Sequence, residues 1–204
     1  MDNLAVRIRE KINELHDEFE KGVEGRRKRF RYRLERGRVV FEREVILRHR
    51  LLRIRLLRFL GDSKIGAIVT SPVIYSLIIP LALLDLFMTV YQHICFRVYR
   101  IPLVKRSEYV VMDRKYLQYL NIIQKVNCIY CEYGNGVLSY AREVASRTEQ
   151  FWCPIKHARK VKDVHDRYYD FIEYGDSEDF PKKFRDQREK CRACEASSCV
   201  KHKD

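Results

Sequence analysis

Four residues carry the best-defined chemistry in this chain. Cys128-Ile-Tyr-Cys131 is followed, 21 residues on, by Cys153-Pro-Ile-Lys-His157. A C-x-x-C on a turn lets two thiolates converge on one ion, and Gly134 just beyond relieves the backbone there. Cys153 and His157 are four apart, so on a helix they share a face. Together Cys128, Cys131, Cys153 and His157 form a Cys₃His donor set suited to tetrahedral zinc. With four protein ligands the metal is structural, since no coordination position stays open. Two other readings stand beside it. One is a pair of half-buried cysteines with a surface histidine. The other is a dithiol redox pair, which lacks a thioredoxin-like strand pattern around Cys128. An enzyme requires one ligand to be missing. Glu143 or Glu149 then serves as general base beside zinc-bound water, with His165 as a further ligand.

A second cluster lies near the C-terminus. Cys191, Cys194, Cys199 and His202 place four ligand-type residues within twelve positions. They suit a second zinc or, through three thiolates, an iron–sulfur cluster. A polar C-terminal tail is also where disorder concentrates. Cys95, inside an apolar run, reads as a small buried hydrophobe. Seven cysteines is an odd number, mostly in short spacings, which favours a reducing compartment over a disulfide framework.

The elements that must position these residues are mainly α-helical. Residues 1–62 read as an amphipathic, arginine-rich helical arm. Leu4, Ile8, Ile12, Leu15 and Phe19 share one helix face, and Lys21-Gly-Val-Glu-Gly25 interrupts it. From Arg26 a second periodic run predicts a helix of about 35 residues, roughly 50 Å long. Residues 21–60 hold fifteen Lys/Arg and four acids, out of a net charge of +13 for the whole chain. In the segment from Arg48 to Leu60, leucine pairs alternate with Arg48, Arg50, Arg53, Arg55 and Arg58. Arginine stems there lie on apolar surface while their heads reach anionic lipid phosphate. Nucleic acid is the other partner such charge attracts, but adjacency to an apolar segment favours lipid. A basic soluble helix packed on a protein partner or on a second copy is the remaining reading. The N-terminus is acidic and amphipathic, without the apolar core of a secretory signal.

Residues 63–98 form a membrane-inserted segment. Ile65 to Phe96 is a run of 32 residues whose only formal charge is Asp85. One span needs about 20 residues and two need more than 40, so this length fits neither. Pro72 and Pro80 interrupt it, and both flanks are basic. A re-entrant hairpin or shallow insertion, with both flanks in the cytoplasm, is favoured over a single tilted span. Asp85 is expensive in hydrocarbon, so it faces protein, water or a headgroup, or serves as an ion or proton site.

Residues 99–176 read as a small Cys/His module, and 177–204 as a polar tail. Tyr109–Met112 suits a short strand, and Asp113 an N-cap for a helix carrying Leu117, Leu120, Ile123 and Val126. Gly134-Asn-Gly136 marks a turn, with the next helix over 136–150. Pro154 opens a further helix that carries Ile155, Val161, Tyr168 and Phe171. Phe151 and Trp152 pack this module or sit at a membrane interface.

Several segments resemble an uncharacterised family of small bacterial membrane proteins. They are Pro80-Leu-Ala-Leu-Leu-Asp85, Tyr91-Gln92, Ile94-Cys-Phe96, Ile101-Pro102, Asn127-Cys-Ile-Tyr-Cys131 with Asn135-Gly136, and Arg147-Thr-Glu-Gln-Phe-Trp-Cys-Pro-Ile-Lys-His-Ala158. The resemblance covers about 40% of the chain. It implies a bacterial inner membrane and no particular reaction. The function expected is a membrane-associated scaffold or interaction protein with a structural zinc module. A membrane-bound zinc or thiol-redox enzyme and a nucleic-acid-binding membrane protein are the alternatives.

Overall fold

Lysine, arginine and glutamate fill the first 29 residues, and all are good helix formers. The computed structural model, which describes residues 2–35, 38–55, 61 and 65–193, makes Asp2–Arg29 one helix, α1. The interruption expected at Lys21–Gly25 does not occur. Two glycines cost about 1 kcal/mol each, too little to break a helix braced by pairs such as Glu24–Lys28. The helix ends before Arg31, which adopts a left-handed φ of 50°.

The long second helix expected from Arg26 is also absent. Strand β1, Tyr32–Glu35, pairs antiparallel with β2, Arg38–Phe41. Val39, Val40 and the cross-strand rings of Tyr32 and Phe41, 5.6 Å apart, suit a pleated surface better than a helix. Helix α2 then covers only Arg43–Leu51. The His49 ring stands edge-on to Phe41 at 5.3 Å and to Tyr119 at 5.1 Å. Arg53 Nε donates to the Gln118 carbonyl at 3.1 Å.

The apolar run forms one helix, α3, Ile65–Tyr99, of 35 residues, long and apolar enough to cross a membrane. Only 6% of its most apolar window is buried. The hairpin expected here is not formed, because neither proline reverses the chain. Pro72 sits inside the helix. Pro80 has no N–H for the Ser76 carbonyl, and the helix tightens locally, with Leu77 N donating to Ile74 O at 3.3 Å. Thr70, Ser71 and Ser76 turn their hydroxyls back onto carbonyls of the same helix. Gln92–Phe96 widens into a π turn.

Beyond α3 come the short α4, Arg106–Tyr109, the long α5, Ile122–Trp152, and α6, Phe180–Ala193. No strand forms at Tyr109–Met112. The helix expected from Asp113 starts instead after Asn121, whose side chain and backbone exchange hydrogen bonds with Gln124, both at 2.9 Å. This reciprocal cap satisfies two donors at once. Gly134-Asn-Gly136 lies inside α5 rather than at a turn. A Cβ on Gly136 would stand 2.8 Å from Tyr109 O and Val110 Cα, so glycine permits close backbone approach there. After Trp152 the chain is extended, and Ile155 bridges Ile172 in parallel. A 3₁₀ turn at Asp166–Asp170 replaces the helix expected from Pro154.

The described chain divides into two units. The first takes the residues up to Ser71 with Met112–Tyr130. The second takes Pro72–Val111 and the chain from Cys131 onward. The second unit has the core: Phe96, Ile101, Val104, Tyr140, Val144, Phe151 and Cys191, with Met88, Tyr91 and Tyr99 packed on it.

Candidate functional site

Asp85 shows how the second unit handles a charge in an apolar helix. It is 9% exposed and accepts two hydrogen bonds from Arg106, Nε at 2.8 Å and Nη2 at 2.6 Å. Tyr133 Oη donates to it at 3.0 Å. The bidentate fork suits a planar guanidinium and fixes α4 against α3. The bond to Asp85 raises the Arg106 pKa above its usual range. Burial, then the bond to Asp85, raises that of the Tyr133 phenol. The arrangement is an anchor, with every carboxylate oxygen occupied.

Seven residues on, Gln92 performs a second anchoring task. It is 1% exposed. Its amide exchanges bonds with the Val104 backbone, accepting from N at 2.9 Å and donating to O at 3.2 Å. It also donates to Tyr140 Oη at 2.6 Å. The π turn begins at this residue.

The expected zinc ligands are not brought together. Cys128 and Cys131 lie on the continuous α5 instead of on a turn. From Cys131 to Cys153 is 22 residues, about 33 Å at the helical rise. Cys153 is exposed just past the helix end. His157 follows in the irregular segment beyond Ile155, its ring stacked on Tyr168 at 6.0 Å. Among the described residues no group of three or more His, Cys, Asp or Glu is placed to hold a metal ion. Of the weaker set, Cys191 is buried in the core, and Cys194, Cys199 and His202 lie outside the described residues. Burial pushes the Cys191 thiol pKa up, and its Sγ faces Arg147 O at 3.6 Å.

The Arg147–Trp152 motif builds a buried polar hub instead. Arg147 is 1% exposed. It donates Nε to Glu143 at 2.8 Å and Nη1 to Pro102 O at 2.7 Å. Arg167 donates to the same Glu143 oxygen and to Ser146 Oγ. Thr148 bonds Tyr91 Oη at 3.0 Å, and Gln150 meets Gln187 at 3.5 Å. Glu149 faces His165 Nε2 at 2.9 Å. A cavity of about 200 Å³ opens beside this hub, lined by Tyr109, Ser139, Arg142, Glu143, His165 and Arg167 among others. Burial first, then the nearby Glu143 carboxylate, raise the Tyr109 pKa. Glu143, a base in the enzyme reading, is thus shared between two guanidiniums. No local pattern marks the roles of Arg106, Arg167 or Gln92, because each acts on a residue at least twelve positions away.

The arginine arm is dispersed. Arg48 and Arg50 lie on α2, Arg53 and Arg55 follow it, and Arg58 is outside the described residues. Lys125, on the same unit, has its pKa lowered by burial and then by Arg53. No family model matches the chain, and neither does any curated protein or solved structure.

Proposed function

We propose that this is a membrane-associated interaction or scaffold protein that inserts α3 into one leaflet and keeps its soluble parts on one side. The observation that carries this reading is the 35-residue apolar helix with 6% of its most apolar window buried. Exposed Ile65, Val69, Val73, Leu77 and Ile79 have no aqueous use in such number. Insertion into one leaflet, rather than crossing, is supported by the segments on either side of it. His49 and Arg53 precede α3, Tyr119 and Gln118 follow it, and they touch. A crossing helix would put them on opposite faces of the bilayer.

The basic arm supports an anionic-lipid partner, with Arg48, Arg50 and Arg55 exposed. The positive flanks and the family resemblance favour the cytoplasmic face of a bacterial inner membrane. The soluble helical unit is then the surface offered to a protein partner. Reporters fused at the two ends of the chain test the reading. Both should report the cytoplasm, and deletion of 65–84 should release the protein from washed membranes. Ends on opposite sides would reject the one-leaflet insertion, and a protein soluble without the deletion would reject membrane association.

A further inference from the structure

The second unit has a groove of about 680 Å³ between α3 and α5. Leu84, Phe87, Met88 and Tyr91 form one wall, Ala145 and Trp152 the other. Its few polar groups are turned elsewhere: Thr148 bonds Tyr91 Oη and Val144 O, and Glu149 bonds His165. What remains facing the groove is hydrocarbon and the exposed Cys153 thiol at its end. At one end lies the exposed apolar surface of α3 before Asp85. At the other, charge begins. Arg188 lies 5.4 Å over the Trp152 ring and Arg192 5.3 Å over the Phe151 ring. Arg188 also donates to Phe151 O, and Arg192 to Tyr99 O, both through Nε, so Arg188 meets the groove through Trp152 and Arg192 stands one helical turn beyond it. Their helix, α6, carries six basic and two acidic residues.

We infer that this groove holds one acyl chain of an anionic phospholipid, with its phosphate at Arg188 and Arg192. The inference rests on the membrane association proposed above. An apolar slot ending in aromatic rings and guanidiniums matches a lipid along its length: chain, glycerol level, phosphate. The surrounding bilayer supplies this ligand at high local concentration. A zwitterionic headgroup brings the same phosphate together with its own ammonium, which repels the two guanidiniums, so a net-anionic lipid is preferred.

Trp152 is the only tryptophan in the chain, so its fluorescence reports the groove directly. The full-length protein is placed in phosphatidylcholine vesicles containing a small fraction of lipid brominated on its acyl chains. Brominated phosphatidylglycerol should quench Trp152 with about fivefold preference over brominated phosphatidylcholine. Ala145→Leu should fill the slot and abolish the preference. Arg192→Gln should reduce it, and Arg188→Lys should retain it. Far-UV circular dichroism identifies any variant that fails to fold, and Ala145→Val then provides a milder obstruction. Equal quenching by the two lipids in protein that floats with vesicles overturns the lipid site and leaves the membrane reading intact. Preference unchanged by a folded Ala145 variant overturns it as well. Protein that does not float with vesicles overturns both.

Discussion

Arg147 is the largest fully buried side chain of the second unit, and it donates to Glu143 and to the Pro102 carbonyl. Its removal leaves a large void in the core and Glu143 with Arg167 in place of two guanidiniums. Arg147→Ala should therefore lower unfolding free energy by about 3–5 kcal/mol in chemical denaturation. Arg142, with a half-exposed side chain paired to Asp163, is the control: Arg142→Ala should change stability by about 0–1 kcal/mol. The cysteines separate by environment. Cys131 and Cys153 are exposed, whereas burial keeps Cys191 protonated. An alkylating reagent at neutral pH should modify the first two in the folded protein and Cys191 only after unfolding, as read by mass spectrometry. Tyr109 sets an alkaline limit. Its phenolate is costlier in the fold than in the open chain, so the folded state holds the proton more tightly. Its contribution is full below the ordinary tyrosine value of about 10 and is lost as pH rises through the raised one. Thermal midpoints should fall across that range, and less steeply in Tyr109→Phe.

Helix α5 shows what one element gains from two glycines. Gly136 has backbone at 2.8 Å from where a Cβ would stand, so Gly136→Ala must push α5 away from Tyr109 and Val110. A loss of about 1–3 kcal/mol is expected. At Gly134 the nearest atom is the end of the Leu81 side chain at 3.2 Å, which is free to swing aside. Gly134→Ala should be neutral or stabilising by up to about 1 kcal/mol through helix propensity. Paired denaturation curves of the two variants check the contrast. The same glycines explain where the sequence misleads. Glycine serves both turns and close approaches, and only the partner backbone, some 26 residues earlier, decides between them. Gly-Asn-Gly therefore reads as a turn, where the structure continues the helix. The hairpin at Tyr32–Phe41 was hidden for another reason. Arginine at alternating and helical spacings alike masks the two-residue period of a strand. What was legible had a compositional cause: the mainly helical character, the amphipathic α1, the apolar limits of α3 and its end before Pro102.

For the whole molecule, the proposed membrane association gives charge and apolar surface the same partner. Attachment to anionic vesicles should weaken as salt rises from low to physiological levels, since the arm's charges are exposed and screened. Replacing Arg48, Arg50 and Arg55 by glutamine should lower affinity by about fivefold per residue, measured by vesicle flotation at fixed ionic strength. Protein retained on duplex DNA in the presence of such vesicles would instead favour nucleic acid as the arm's target. The distance in sequence between Asp85 and its partners has a consequence for synthesis. Arg106 and Tyr133 follow it by 21 and 48 residues. At ordinary translation rates Arg106 is made about 1–4 s after Asp85, and Tyr133 about 2–10 s after it. For those seconds the nascent chain offers the targeting machinery an apolar helix whose one acid is still bare. The charge is neutralised only once Arg106 has been made, so the ribosome, rather than the finished fold, meets the helix in its least membrane-compatible form.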